Sequence, residues 1–228
     1  MAKMNHNTIK IPVQNVALEG DLVIPEHARS LVIFAHGSGS SRFSPRNNLV
    51  AQHLQKNGIA TFLFDLLTKE EEDVYTLRFD IDMLADRLIE VTNWLKKLQN
   101  LKGLAVGFFG ASTGAGAALK AAALMGKKIQ AVVSRGGRPD LAMNHLYNVH
   151  AATLLIVGEL DEEVRALNQE AFEKLTCEKR TEIVFGATHL FEEPGTLEQV
   201  AELAEQWFNH HLSGKSKNHE QTQRLTLS

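Results

Sequence analysis

The sequence predicts an α/β fold with a mostly parallel central sheet of about eight strands and helices on both faces. Short apolar runs alternate along the chain with amphipathic helical stretches, which is typical of strands joined by helical crossovers. Several of these runs end in glycine-containing segments that carry polar side chains, for example residues 110–114 and 186–189. Because open α/β sheets place their sites at the carboxyl ends of the strands, we expect these segments to meet at one edge.

The first half of the chain predicts four strands and two helices. Residues 8–13 and 16–24 predict two strands joined near Asn15, and residues 31–35 and 59–65 are apolar runs that predict two more strands. Ser44 and Pro45 begin the helix between the latter two, as its N-cap and first-turn proline. The second helix carries an apolar stripe at three- and four-residue spacing, which covers one face of the sheet: Ile81, Leu84, Leu88, Val91, Leu95 and Leu98.

The second half continues the alternation. Strands are predicted at residues 105–109, 129–134, 153–157 and 181–185, and helices lie after Ser112, at residues 164–175 and from Thr196. Only about twenty residues separate the strand ending at Ser134 from the one at Thr153, so a helical cap domain does not fit there. We expect little or no cap, a single domain over residues 1–212 and a polar tail over residues 213–228.

Composition excludes several classes of function. A formal net charge of -3 with interspersed signs gives no basic footprint for nucleic acid. No apolar run approaches the roughly 18 residues of a membrane span, and the N-terminus lacks the apolar region of a signal peptide. Cys177 is the single cysteine, so no intrachain disulfide can form. We therefore expect a cytoplasmic protein that binds neither nucleic acid nor membrane; its oligomeric state stays open.

The segment Gly-Ala-Ser-Thr-Gly at residues 110–114 follows an apolar strand and opens a helix rich in alanine and glycine. This G-x-S-x-G pattern is typical of a nucleophile elbow, a turn so tight that small residues are needed on both sides of the serine. It would raise the Ser112 hydroxyl above the sheet edge and leave the Thr113 amide at a helix N-terminus, where it can stabilise an oxyanion. The alternative is that Ser112 only caps the helix.

Three further segments lie beyond the ends of other predicted strands. His-Gly-Ser-Gly at residues 36–39 follows the strand at 31–35, and the amide of Ser38 is a candidate second oxyanion donor. Asp161 follows the strand at 153–157, and His189 follows the strand at 181–185. The chain order serine, aspartate, histidine is the hydrolase order. Three other acids compete with Asp161 for the role of partner to the histidine: Glu159, Glu162 and Glu163.

With these motifs, the chain resembles the α/β-hydrolase superfamily over roughly residues 30–212, and within it the small dienelactone-hydrolase-like group. The resemblance implies a triad of Ser112, His189 and Asp161, an oxyanion hole made by the Ser38 and Thr113 amides, and no cofactor. Dienelactone hydrolases proper have cysteine at the elbow, where this chain has Ser112.

The implied function is a carboxylesterase-like serine hydrolase that cleaves small acyl esters, lactones or thioesters through an acyl-enzyme on Ser112. A small-molecule acyl substrate is therefore the expected partner. One alternative is an acyltransferase or perhydrolase with the same triad. Another is a non-catalytic binding module on a hydrolase scaffold, since fold does not imply function.

Arginines near the predicted site are candidates for binding a substrate carboxylate, because guanidinium groups bind carboxylates through paired hydrogen bonds. The candidates are Arg42, Arg135 and Arg138. The alternative is that Arg135 or Arg138 pairs with a local acid such as Asp65 or Asp140 and only holds a loop in shape.

Cofactor and metal motifs are not predicted. Arg42 occupies the position of the third glycine of a dinucleotide-binding G-x-G-x-x-G, and Asn209 occupies the first glycine position of a phosphate-binding loop before Lys215. His210 and His211 are adjacent on a predicted helix, where side chains point about 100° apart, so we expect no metal pair from them.

Overall fold

The computed structural model describes residues 4–212. Eight strands form one sheet in the order β1-β2-β4-β3-β5-β6-β7-β8. β2 pairs antiparallel with β1 and β4, and the remaining pairs are parallel, which confirms the predicted sheet. In chain order the strands are β1 (Met4–Val13), β2 (Val16–Pro25), β3 (Ser30–Ala35), β4 (Ala60–Phe64), β5 (Ala105–Ala111), β6 (Ala131–Arg135), β7 (Ala152–Gly158) and β8 (Lys179–Val184).

Helices cover both faces of the sheet, as predicted. α1 and α6 pack against one face together, whereas α3, α4 and α5 cover the other. The α-helices are α1 (Pro45–Lys56), α2 (Lys69–Glu72), α3 (Ile81–Leu95), α4 (Thr113–Met125), α5 (Glu162–Lys174) and α6 (Thr196–His211), and short 3₁₀ helices lie at Tyr75–Phe79, Gln99–Leu101, Gly126–Lys128 and Pro139–Asn148.

The core has two layers because successive side chains of a strand point to opposite faces. In β3, Leu31 and Ile33 contribute to the layer under α3 and α4, while Val32 and Phe34 contribute to the layer under α1 and α6. All four are almost fully buried. Burying each such side chain contributes about 1.5–3 kcal/mol, so the central strands hold the edge that carries the candidate site.

The connection between β6 and β7 contains one short 3₁₀ helix, Pro139–Asn148, which packs on α4 and α5. This confirms the prediction of little cap structure at this point of the chain. Within residues 4–212, no helix is both long enough and apolar enough to cross a membrane. The predicted polar tail, residues 213–228, lies outside the described residues.

Candidate active site

The turn from β5 into α4 places Ser112 in a strained backbone conformation, with φ 49° and ψ -122°. Gly110 and Gly114 explain why small residues are needed around it. A Cβ on Gly110 would come within 2.8 Å of the backbone nitrogen of Ala115, and one on Gly114 would come within 2.7 Å of the carbonyl carbon of Ala35. Real side chains do not tolerate such contacts, so α4 packs this closely against β3 and β5 only with glycine at both positions. The serine is thereby held at the junction of strand and helix.

Ser112, His189 and Asp161 are brought together at this edge from three separate segments. The imidazole Nδ1 lies 2.6 Å from Asp161 Oδ2, and Nε2 lies 3.3 Å from the Ser112 hydroxyl oxygen. The aspartate therefore fixes the tautomer with the proton on Nδ1, which leaves Nε2 free to accept the serine proton. Of the four acids considered from the sequence, Asp161 is the one in contact with the imidazole.

The loops that follow β7 and β8, residues 159–161 and 185–195, are joined through their backbones. Glu159 N–H donates to the Val184 carbonyl and Leu160 N–H donates to the Ala187 carbonyl, each at 3.0 Å. The Glu159 carboxylate in turn accepts from Gly186 N–H at 2.8 Å. Asp161 and His189 are therefore carried by two loops that behave as one unit.

Ser38 and Thr113, the two predicted oxyanion donors, lie next to each other. Thr113 is the first residue of α4, where backbone N–H groups have no acceptor within the helix. The Ser38 amide donates to the Thr113 hydroxyl oxygen at 2.8 Å, so this amide already has a partner in the structure. The threonine side chain therefore fixes the direction of the Ser38 N–H.

The loop after β3, residues 36–44, is held by charged side chains that sequence reasoning missed. Glu72 Oε1 accepts from Gly39 N–H at 3.0 Å and pairs with Arg78 Nε at 3.1 Å. From the sequence, the acidic stretch at residues 69–73 is either a loop or the start of a helix, and the structure places α2 there. Thr68 and Glu71 form a capping box around its first turn. The signal was present in the spacing of Thr68 and Glu71, which is a helix-start pattern.

His36 also holds the β3 loop through hydrogen bonds of its ring. Leu66 N–H donates to His36 Nε2 at 3.0 Å, which requires the ring proton on Nδ1, and Nδ1–H donates to the Gly37 carbonyl at 2.9 Å. Burial lowers the pKa of His36 from its ordinary value of 6.5. The His36 ring is therefore neutral in the folded protein at neutral pH. It connects the β3 loop to the segment after β4.

Two of the three arginines considered for substrate binding are engaged by carboxylates of this chain. Arg42 pairs with Asp65 and with Glu19, the latter at 2.9 Å. Arg138 donates to both carboxylate oxygens of Asp140, at 2.8 and 2.7 Å, which raises the pKa of its guanidinium. For Arg138 and Asp140 this is the alternative that the sequence left open. Both arginines hold loops in this structure, and the substrate contact suggested for them stays a prediction.

Arg135 differs from the other two. It ends β6, and its backbone carbonyl accepts from Ser112 N–H at 3.2 Å. Arg135 is 6% exposed, and within residues 4–212 its side chain has a single hydrogen bond, a long one of 3.4 Å from Nη2 to the amide oxygen of Asn47. The guanidinium carbon lies 5.7 Å from the centre of the Phe191 ring, in the loop that carries His189.

The other end of the sheet holds a cluster that corrects the sequence analysis. One ligand atom each of Glu178, His210 and His211 lies within 4.8 Å of the others. The prediction that the adjacent histidines point apart is therefore wrong. The α-helix ends at His211, and the two rings meet edge to face with centres 4.6 Å apart. Glu178 precedes the first residue of β8, so the cluster is separate from the triad.

Comparison with known proteins supports the assignment of the fold. The model of a family described as the dienelactone hydrolase family matches residues 18–213. A dienelactone hydrolase structure from Anabaena variabilis is 54% identical, with a TM-score of 0.89 over 92% of this chain and 99% of that one. An esterase structure from Pyrococcus furiosus, 19% identical, has a TM-score of 0.75 over 92% of both chains, which shows likeness of fold alone.

Curated relatives from two strains of Mycobacterium tuberculosis are 55% identical over 206 residues and carry the provisional name of phosphoribosyl transferase. The matched region is 90% of this chain and 46% of each relative. The chain thus spans about half the length of the curated relatives it matches, and their name describes proteins with a large further region.

Proposed function

Because the chain belongs to the dienelactone hydrolase family, we propose that it is a hydrolase-type enzyme acting on small molecules, namely a serine hydrolase of small acyl esters, lactones or thioesters. The observation that carries the proposal is the continuous chain of contacts from Asp161 through His189 to Ser112, over 2.6 and 3.3 Å. This is the arrangement that activates a serine hydroxyl.

In the proposed mechanism, Ser112 Oγ attacks the acyl carbon while His189 Nε2 takes its proton. Asp161 holds Nδ1–H and stabilises the imidazolium without taking the proton itself. The imidazolium then gives its proton to the leaving group, and water releases the acyl group from Ser112 in a second attack with the same histidine as base. The contact of 3.3 Å between Nε2 and Oγ is slightly long for a hydrogen bond and would shorten in the substrate complex.

The Thr113 and Ser38 amides would stabilise the oxyanion of the tetrahedral intermediate. An oxyanion is a stronger acceptor than a neutral hydroxyl, so it would draw the Ser38 N–H away from the Thr113 side chain as charge develops. Losing one such donor typically costs about 3 kcal/mol of transition-state stabilisation. The Thr113 hydroxyl would thus keep the second donor in place between turnovers.

Labelling with a fluorophosphonate probe, followed by peptide mapping, tests the proposal. We expect label on Ser112 in the wild type and no label in Ser112→Ala, together with a loss of at least about 1000-fold in ester hydrolysis. Ser40→Ala is the matched control, since Ser40 lies in the nearby β3 loop, and it should label and turn over normally. Folded wild-type protein that neither labels nor hydrolyses esters would overturn the proposal. Acyl transfer to an added alcohol or peroxide in place of water would point instead to the transferase.

A further inference from the structure

Arg135 is a buried cation for which the described part of the chain supplies no carboxylate. Its Nε is buried and has no hydrogen-bond partner among the described residues. Burial, and then the charge of Arg46, lower its pKa to about 10. Removing a charge from water without an opposite charge is strongly destabilising, so buried charges in proteins are normally paired.

Other arginines at this edge of the sheet follow that rule. Arg87, which is also buried, forms two hydrogen bonds to the carboxylate of Glu71, at 2.7 and 2.6 Å. Arg78 has Glu72, as described above. The fold therefore provides carboxylates for guanidinium groups of this edge, and Arg135 is the exception among those compared.

The surroundings of Arg135 add positive charge. Its neighbour Asn47 lies in the first turn of α1, a helix of 12 residues whose N-terminus carries partial positive charge. Arg46 precedes Asn47 in the same turn. Its Nη1 reaches the exposed Glu192 at 2.9 Å, while its Nε is buried without a partner. The guanidinium groups of Arg135 and Arg46 therefore lie near each other and near a helix N-terminus. The acid that pairs with Arg46 is Glu192, which is mostly exposed.

We propose that Arg135, Arg46 and the first turn of α1 bind a phosphate group. A phosphate dianion suits this arrangement better than a carboxylate, because two guanidinium groups beside the positive end of a helix supply more charge and more donors than one monoanion can use. The phosphate displaces the exposed Glu192 carboxylate from Arg46 and provides the counter-charge that Arg135 lacks. The binding site requires no catalytic turnover and does not depend on the proposed serine chemistry.

The phosphate site adjoins the triad through the backbone. Gly136 follows Arg135 with φ 50°, and a Cβ there would lie 3.5 Å from the His189 ring carbon Cε1. Phe191, over which the Arg135 guanidinium lies, is two residues after His189. A phosphate bound here is therefore either part of the substrate or a separate ligand next to the loop that carries the histidine.

Thermal unfolding with inorganic phosphate tests the site, measured against chloride at matched ionic strength. We expect phosphate to raise the wild-type Tm in a saturable manner, because a ligand that binds only the folded state stabilises it. Arg135→Met should abolish this shift while leaving the Tm in chloride equal to or above that of the wild type, since it removes an unpaired buried charge. Arg138→Met is the matched control and should keep the shift.

A wild type without a saturable shift, or an Arg135→Met variant with the same shift as the wild type, would overturn the proposal. If Arg135→Met does not fold, Arg46→Gln decides, because Arg46 is partly exposed: we expect its phosphate affinity to fall at least about tenfold, and an unchanged affinity would contradict the site. Hydrolysis of a neutral ester then separates the two sources. Phosphate that raises KM competitively supports a phosphate on the substrate, and phosphate that binds without changing KM supports a separate ligand.

Discussion

Two sides of the candidate active site are held in different ways. On the side of the proposed oxyanion donors, the β3 loop is fixed mainly by side chains: Glu72 binds the Gly39 amide, and His36 joins Gly37 to Leu66. On the side of the acid and the histidine, backbone hydrogen bonds join the β7 and β8 loops, and Gly158 lets them approach closely.

This difference teaches where each side is vulnerable. A loop held by charged and titratable side chains responds to charge removal and to pH, because these interactions depend on ionisation. A pair of loops held through the backbone is indifferent to most side-chain changes and is sensitive to added volume at the point of closest approach. Three predictions examine this contrast, beginning with the largest expected effect.

Gly158→Ala should damage the acid and histidine side most. The new Cβ would lie 2.7 Å from the Thr188 carbonyl oxygen, so the two loops must move apart and the contact of Asp161 with His189 is disturbed. We expect at least a 100-fold loss of kcat/KM and a loss of about 1–3 kcal/mol in the free energy of unfolding. Steady-state kinetics and urea denaturation measure both. Unaltered kinetics and an unaltered free energy of unfolding in Gly158→Ala would contradict the steric explanation.

Glu72→Gln should have an intermediate effect on the oxyanion side. Glutamine can still accept from Gly39 N–H, but it loses the charge that pairs with Arg78, so the β3 loop is held less firmly. We expect kcat to fall about tenfold with little change in KM, equivalent to about 1.4 kcal/mol. Glu70→Gln, an exposed change on the same short helix, should leave kcat unaltered. A rise in KM with constant kcat would instead place Glu72 in substrate binding.

Titration of His36 should make the free energy of unfolding depend on pH, and this is the smallest of the three expected effects. The folded state lowers the pKa of this histidine below 6.5, so the unfolded chain binds the proton more readily. The contribution of His36 to the free energy of unfolding is therefore complete above pH 6.5. It is lost as pH falls through the lowered pKa, by at most about 1.4 kcal/mol per pH unit. Urea denaturation from pH 7 to pH 5 should show a steeper loss for the wild type than for His36→Gln, whose amide can accept from Leu66 and does not titrate. Parallel curves would be inconsistent with a buried neutral ring.

The sequence was sufficient for the strands and for the place of the main site segments, and the reason is geometric. Residues that follow parallel strands must meet at one edge, so Ser112, Asp161 and His189 could be grouped from strand ends alone. Strand ends alone could not choose Asp161 over Glu159, because both follow the same strand; the family resemblance implied Asp161, and it is Asp161 that lies 2.6 Å from the imidazole. Glu159 binds the Gly186 amide instead.

Pairings over long sequence separations could not be predicted. Glu72 contacts Gly39 across 33 residues, and Arg42 contacts Asp65 across 23, so their partners depend on how the loops fold over the edge. The pairing of Arg135 could not be predicted from the sequence either. Its position after a strand suggested a functional role, but only the packing around it reveals that no carboxylate of residues 4–212 pairs with it.

The joining of the β7 and β8 loops has a consequence for motion. Asp161 and His189 lie on segments that are hydrogen-bonded to each other. Ser112 lies at the closely packed junction of β5 and α4. Thermal fluctuations of the site therefore change the distance between His189 and Ser112 first, and leave the imidazole oriented toward its aspartate. In the proposed mechanism, the fraction of time in which the imidazole comes within hydrogen-bonding reach of the hydroxyl would scale the rate of attack, so that loop stiffness, as much as acidity, would govern how often the serine can react.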